Sequence, residues 1–347
     1  MVTIGIDPHK DTHCAVACDR VGRQVATRTV AARPEGFGEL VGWARALGGE
    51  RAWVMEDCRG VSGPFERFLL DHGERVVRLG PHLMAGARVG VRERGKSDPI
   101  DARAVCRAAL AEGIETLPAA RLAGPELDVR LLGAHRERLV RQRAGLICTL
   151  RWHCHDLWPE LKIPRRALIG VRWQTRVARR LADTPPGTRV QIAQDLLARV
   201  RELTHTIRAV TEQLGILVRE LAPQLLAEPG VGVVLAAKLI GEIAGIKRFA
   251  TDAKLARTAG CAPIPVSSGR TDRHRLDRGG NRQLNHAFHM LAVCKLAHDP
   301  QTAAYIAKQR RAGKTTPEAL RCLKRHLVRR VFTLLHKPKL VPQTTCS

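Results

Sequence analysis

The sequence predicts a mixed α/β domain at the N-terminus, a helical arm in the middle and a mainly α C-terminal domain. Three observations predict it. Short β-rich runs alternate with helix-spaced apolar residues up to about residue 110. An apolar stripe then recurs at intervals of three and four through Ile192, Leu196, Val200, Leu203, Ile207, Val210, Leu214 and Leu217. From about Glu228 the pattern changes to helices punctuated by glycine. A length of 347 residues suits two or three domains of about 100–150 residues each.

Residues 2–7 read as a strand ending in an acid, followed by β-rich runs at 13–18 and 23–30 with a turn at 19–22. Helical spacing at 35–47 puts Phe37, Leu40, Val41 and Ala44 on one face. A buried-strand run at 52–55 again leads into an acid, Glu56. A helix at 63–72, a strand at 75–79 and a helix at 98–110 complete a mixed layer rather than an all-helical one. The stripe through Val200 suits a coiled coil or a bundle core helix, with 126–158 as its antiparallel partner and 182–187 as the loop between them. Pro229-Gly230-Val231-Gly232 opens an apolar helix at 233–243. A Gly- and Arg-rich loop is expected at 266–280, and helices at 281–297 and 317–335. The last of these presents Arg321, Lys324, Arg325, Arg329 and Arg330 as a basic face. The expected divisions are 1–118, 119–224 and 225–338, with a loose tail at 339–347.

Lys and Arg number 58 against 33 Asp and Glu, a formal charge of +25. Such a charge repels itself, and a polyanion relieves it. Nucleic acid comes first as a partner, through phosphate contacts and counterion release. An anionic membrane surface is the second candidate and a compositional bias the third. A hydrophobic content of 44% excludes wholesale disorder. No run approaches the ~18 apolar residues of a membrane span, and no signal peptide is apparent at the N-terminus, so a cytoplasmic protein that joins the nucleoid when bound is expected. The ten cysteines are scattered without a CxxC pair, which fits reduced thiols. Cys148, His153, Cys154 and His155 lack the second ligand pair of a zinc site.

Four carboxylates stand out by position. Asp7 and Glu56 end strands, and Asp98 and Asp101, three apart, share one helix face. Converging carboxylates repel unless cations lie between them, and oxygen-only sets suit Mg²⁺ or Mn²⁺. Two such ions polarise a scissile phosphate and steady its attacking and leaving oxygens. Taken singly, Asp98 also reads as a helix N-terminal acid, and Asp7 and Glu56 as solvated strand ends. Gly230 and Gly232 lie in a helix-hairpin-helix pattern whose backbone N–H groups hold phosphate without reading bases; a plain interhelical turn is the alternative. In 266–275, Ser268 beside Gly269, followed by Arg270, Arg273 and Arg275, supplies a nucleophile and phosphate clamps; a passive loop is the alternative. Gly313-Lys314-Thr315 lacks the upstream glycine of a P-loop, and Tyr305 lacks a recombinase frame.

Gly5-Ile6-Asp7, Val54-Met55-Glu56, the block from Lys96 to Arg103 (KSDPIDAR), Pro229-Gly230-Val231-Gly232 and Ser268-Gly269 together resemble the IS-one-ten insertion-sequence transposases, relatives of the pilin-gene DNA invertase. The match in order and spacing covers about 1–115 and 225–300. The resemblance implies an RNase H-like, RuvC-type domain with a DEDD tetrad of Asp7, Glu56, Asp98 and Asp101. It implies a coiled-coil arm used in assembly and a C-terminal transposase domain whose nucleophile is Ser268, with Ser267 adjacent. It further implies Mg²⁺ (or Mn²⁺), donor and target DNA, a structured bridge RNA, and a homo-oligomer (dimer or tetramer) in which one subunit's metal site meets another's serine. Asp57-Cys58-Arg59 after Glu56 departs from the small residues usual there, and Asp57 is a competing ligand.

The expected function is therefore DNA transposition by Mg²⁺-assisted attack of serine on phosphate. Arg325 and Arg329 of the last helix are expected to grip nucleic-acid backbone. The rival on the same fold is a RuvC-type nuclease or junction resolvase using water. The rival of another class is a non-catalytic nucleic-acid-binding scaffold.

Overall fold

The computed structural model describes residues 1–56, 60–80, 83–84, 97–117, 119–120, 124–268, 271–275, 277 and 280–337, without the side chains of 267, 268 and 271–273. Asp57–Arg59, Lys96, Arg270 and the tail at 339–347 lie outside the described residues, as do the side chains of Ser267, Ser268 and Arg273. Contacts divide the chain into two units, one of residues 1–124 with 243–338 and one of residues 125–242.

The first unit begins with β1 (Val2–Pro8), β2 (Thr12–Cys18) and β3 (Gln24–Ala31), then α1 (Pro34–Ala46), β4 (Arg51–Glu56), α2 (Gly63–Asp71), β5 (Val76–Leu79) and α3 (Asp98–Glu112). The strands form one sheet in the order β3-β2-β1-β4-β5. The first three make an antiparallel meander, while β4 and β5 run parallel to β1. The sheet is mixed, as the alternation of β-rich runs and helix-spaced residues predicts. Alternation along the strands sends Ile4, Ile6, Trp53 and Met55 to one face, where they pack with Phe37 and Leu40 of α1 and Phe65 and Leu69 of α2. The other face takes α3: Ala52, Val54 and Val77 meet Val105 and Ala109, and Val16 meets Ala102 and Cys106.

Gly5 in β1 lies under α3. A Cβ there would stand 2.1 Å from the Ala102 carbonyl oxygen and 2.9 Å from the Cys106 amide nitrogen. The missing side chain lets the helix backbone approach the central strand directly.

Two carboxylates in this unit are structural. Glu66 of α2 pairs with Arg78 of β5 at 2.5 Å, both side chains almost fully buried. Glu74 accepts hydrogen bonds from Arg51 Nε (2.6 Å), Arg51 Nη2 (2.7 Å), Trp53 Nε1 (3.0 Å) and Arg45 Nε (3.2 Å). Burial alone would push its carboxyl up, but these donors and the Arg51 charge outweigh it and hold the pKa at about 2. Unfolding returns the group to its ordinary 4.5. Because the folded value is depressed, the stability it contributes is complete above about 4.5 and is lost as pH falls towards 2. Thermal unfolding followed across that window should show the decline, and Glu74→Gln, less stable at neutral pH, should decline less steeply.

The second unit contains α4 (Pro125–Leu157), α5 (Val171–Ala182), α6 (Thr188–Leu221), the single turn α7 (Pro223–Leu226) and α8 (Val233–Ile243). Arg136 bonds Thr211 and Arg143 bonds Thr204, so α4 and α6 run antiparallel, as the spacing suggested. Val200, Ile207, Val210 and Leu214 of the expected stripe are buried. Its N-terminal end is corrected: Ile192 is 41% exposed, while Ala193 and Leu197 are buried. There α6 packs against Val177 and Leu181 of α5, a helix the sequence reading did not place, which turns the buried arc by one residue.

The remainder of the first unit comprises α9 (Asp252–Thr258), β6 (Ile264–Ser268), β7 (Thr271–Arg275), α10 (Arg282–His298), α11 (Pro300–Arg311) and α12 (Thr316–His336). The expected loop at 266–280 is in part an antiparallel hairpin, with Ser268 paired to Thr271 at its tip. The polar content of this segment hid its period. Asn281 caps α10 by accepting from the Gln283 and Leu284 amides, and Thr315 with Glu318 forms a capping box on α12. Among the described residues no helix is long and apolar enough to cross a membrane.

Candidate functional site

Strand parity places the first two acids. Asp7 and Glu56 each lie one residue beyond the Ile6–Met55 pair of the parallel strands β1 and β4. Both therefore stand at the C-terminal ends of adjacent central strands, on the α3 face opposite Ile6 and Met55. Asp98 and Asp101 occupy the first turn of α3, where the helix dipole favours negative charge. The close seat of α3 on Gly5 brings that turn to the strand ends.

The four acids meet electrostatically. Burial raises the Asp7 carboxyl above its ordinary range, His9 opposes this, and Asp101, Asp98 and Glu56 each push it further up. The acids that act on Asp7 lie 49 to 94 positions away in the chain. Asp7, His9 and Asp98 each offer a ligand atom within 4.8 Å of the others. His9 Nδ1 lies 3.8 Å from Asp7 Oδ2, and Nε2 lies 3.9 Å from Asp98 Oδ1. Asp7 is largely covered, with a side-chain exposure of 22%, while His9 and Asp98 are half exposed. The site is thus open on one side. Sequence reasoning passed over His9; its signal was its place two residues beyond Asp7 at the strand end, on the same side of the chain.

The other expected site residues fall elsewhere. Gly230 (φ +85°) occupies the third position of a turn closed by the Val231 amide on the Glu228 carbonyl. Pro229 precedes it, the residue order of a type II turn, and Gly232 then leads into α8. Arg275 is exposed at the end of β7. The basic face expected on α12 is partly engaged within the protein. Lys324 is buried and donates to Asn285 Oδ1 at 2.7 Å. Arg325 (2.7 Å) and Arg329 (3.3 Å) both bond Asp252 Oδ2, which holds the Asp252 carboxyl below its ordinary range. Those cations join α12 to neighbouring helices.

Comparison with known proteins bears on the same two regions. A family model described as a transposase with the DEDD motif of IS110 matches residues 4–159, which include all four acids. A second, the transposase IS116/IS110/IS902 family, matches residues 222–307. The IS116 insertion-element protein of Streptomyces clavuligerus is 27% identical over 98% of this chain and 96% of its own. The IS900 insertion-element protein of Mycobacterium paratuberculosis is 25% identical over 96% and 95%. The IS110 protein of Streptomyces coelicolor is 39% identical, over 37% of this chain and 32% of its own. A solved structure, T. thermophilus RuvC in complex with a Holliday junction substrate, matches 35% of this chain and 99% of its own at 17% identity, with a TM-score of 0.26 that carries no argument. The two transposase models match separate stretches on either side of residues 160–221, and two relatives align along almost the whole length: the chain is similar to the insertion-element transposases of the IS110/IS116 family.

Proposed function

We propose that this chain is an IS110/IS116-type transposase that cuts and rejoins DNA by attack of a serine hydroxyl on a phosphodiester held at a divalent-metal site. The observation that carries the proposal is the placement of Asp7 and Glu56 at adjacent strand ends and of Asp98 and Asp101 in the first turn of α3, with ligand atoms of Asp7 and Asp98 within 4.8 Å of each other; burial and then the neighbouring acids raise the Asp7 carboxyl. Such crowding destabilises the folded state and suits a site built for a cation. The donor set fits a hard divalent ion: carboxylate oxygens predominate, and Asp7 and Asp98 lie close enough to share one, with the His9 ring beside them. Mg²⁺ or Mn²⁺ is the expected ion, held by Asp7, Glu56, Asp98 and Asp101. When bound, it supplies charge neutralisation at the phosphate.

Ser268 is the proposed nucleophile. Its Oγ forms a bond to phosphorus as the bond from phosphorus to the leaving strand oxygen breaks. The serine gives up its proton, and the leaving oxygen takes one up. The diester linkage is conserved as a phosphoserine, so rejoining needs no nucleotide triphosphate. Arg270, Arg273 and Arg275 steady the phosphate, and the turn at Gly230 and Gly232 offers backbone amides to a further phosphate in the manner of a helix-hairpin-helix. The division of labour follows residues 1–118 for the metal site, 119–224 for a coiled-coil arm that joins subunits, and 225–338 for the serine. In the assembled dimer or tetramer one subunit's acids meet another's serine, and a bridge RNA from the element selects donor and target DNA. The charge of +25 suits this load of polyanion.

Trapping on a cognate junction tests the chemistry. The wild type should yield a denaturation-resistant protein–DNA adduct in Mg²⁺, and Ser268→Ala should yield none. Free 5′-phosphate ends at undiminished rate from Ser268→Ala would replace serine with water as the nucleophile.

A further inference from the structure

Beside the β6–β7 hairpin lies a cavity of about 710 Å³, within the roughly 300–1,000 Å³ typical of small-ligand sites. Its wall is formed by the end of β7, the C-terminal half of α11 and the first three turns of α12. Arg275, Lys314 and Arg321 line it, against the acids Asp277 and Glu318. Among the described residues Lys314 Nζ bonds a neutral group, Gln309 Oε1 at 2.5 Å, and the Arg321 guanidinium stands 3.8 Å from Glu318, so the cations outnumber the acids at the cavity and leave positive charge for an anion. Tyr305, the chain's single tyrosine, lines the same cavity. Its ring is half-buried and stands nearly perpendicular to the His326 ring, with centroids 5.5 Å apart. Burial raises its hydroxyl pKa, so Tyr305 is a neutral, held aromatic surface.

A recess of this volume is too small for a duplex and suited to one nucleotide. Cations at the mouth match phosphate, and an aromatic side chain within matches a base face. We propose that this cavity receives a single unstacked nucleotide of a DNA or RNA strand, its base against Tyr305 and its phosphate at Lys314 and Arg321. An extrahelical base costs least at a mismatch, a nick or a single-stranded end, all of which strand exchange creates. The proposal rests on the transposase reading only for the kind of polymer that arrives; the cavity uses none of the four acids.

The test uses the full chain and a short oligonucleotide carrying 2-aminopurine, as deoxyribo- and ribo- versions, beside the same sequence fully paired. The wild type should quench the probe on binding either single strand. Tyr305→Ala should weaken single-strand binding about tenfold and abolish the quenching, with duplex binding unchanged. Tyr305→Phe should keep both properties. Arg321→Gln, at a half-exposed position, should reduce the slope of log affinity against log salt by about 0.7. Equal affinities and quenching in Tyr305→Ala and wild type, or a loss shared equally by duplex and single strand, would overturn the proposal. So would a salt slope unchanged in Arg321→Gln, a variant that tests the site even if Tyr305→Ala fails to fold. Asp7→Asn, inert in strand cleavage, should bind the probe normally, which separates failure of the cavity from failure of the metal site.

Discussion

Asp7→Asn should abolish strand cleavage, a fall of at least about a thousandfold, while leaving the protein as stable as the wild type or more so. The two effects have one cause. Asp7 is largely covered, which raises the cost of ionising it, and Asp101, Asp98 and Glu56 raise that cost further. A carboxyl whose folded-state pKa is raised opposes folding at neutral pH, so an uncharged isostere relieves that strain. The same substitution removes a ligand from the proposed ion site, and a bound ion supplies several kcal/mol of transition-state stabilisation, with about 1.4 kcal/mol per tenfold in rate. Cleavage assays, Mn²⁺ binding read by electron paramagnetic resonance, and calorimetry on one preparation give all three readouts. Cleavage within tenfold of the wild type, or Mn²⁺ binding unchanged, would remove Asp7 from the site.

Gly5→Ala should do the opposite to stability and the same to cleavage. The added methyl carbon would lie 2.1 Å from a backbone carbonyl of α3, a contact that no side-chain rotation relieves. Either β1 or α3 must move. Overpacking of this kind costs roughly 1–3 kcal/mol and here meets backbone on two atoms, so about 3 kcal/mol is expected, or a loss of roughly 10 °C in Tm. Because α3 carries Asp98 and Asp101 in its first turn, the helix takes half of the acidic set with it when it lifts. Misplacement by about 1 Å is enough for a hundredfold loss of rate. The pair of variants therefore separates ligand chemistry from placement. Asp7→Asn loses rate without losing stability, and Gly5→Ala loses both. A Gly5→Ala protein with wild-type Tm would show that the sheet and α3 are not in close contact in solution.

Much of this was legible in the chain. Strands ending at Asp7 and Glu56 were marked by β-rich runs meeting an acid, and α3 by the paired carboxylates of a helix start. The apolar helix after Gly232 was marked by its turn. The local signals failed where polarity masked period, as in the β6–β7 hairpin, and where a helix's buried arc depended on a neighbour, as at Ile192 and Ala193. The basic residues of α12 read as a nucleic-acid grip because sequence shows charge and not partners; Asn285 holds the buried Lys324, and Asp252 pairs with Arg325 and with Arg329, which stays largely exposed.

The sequence by itself determined the elements, the +25 charge and the identity of the acids, because each is written in residue type and short-range spacing. Only the tertiary structure decided that Asp7 and Asp98 come together with His9, and that Tyr305 lines a recess bordered by cations. Both depend on strand pairing and on how closely a helix can sit against a glycine. Those distances are set between residues tens of positions apart, where local periodicity carries no information.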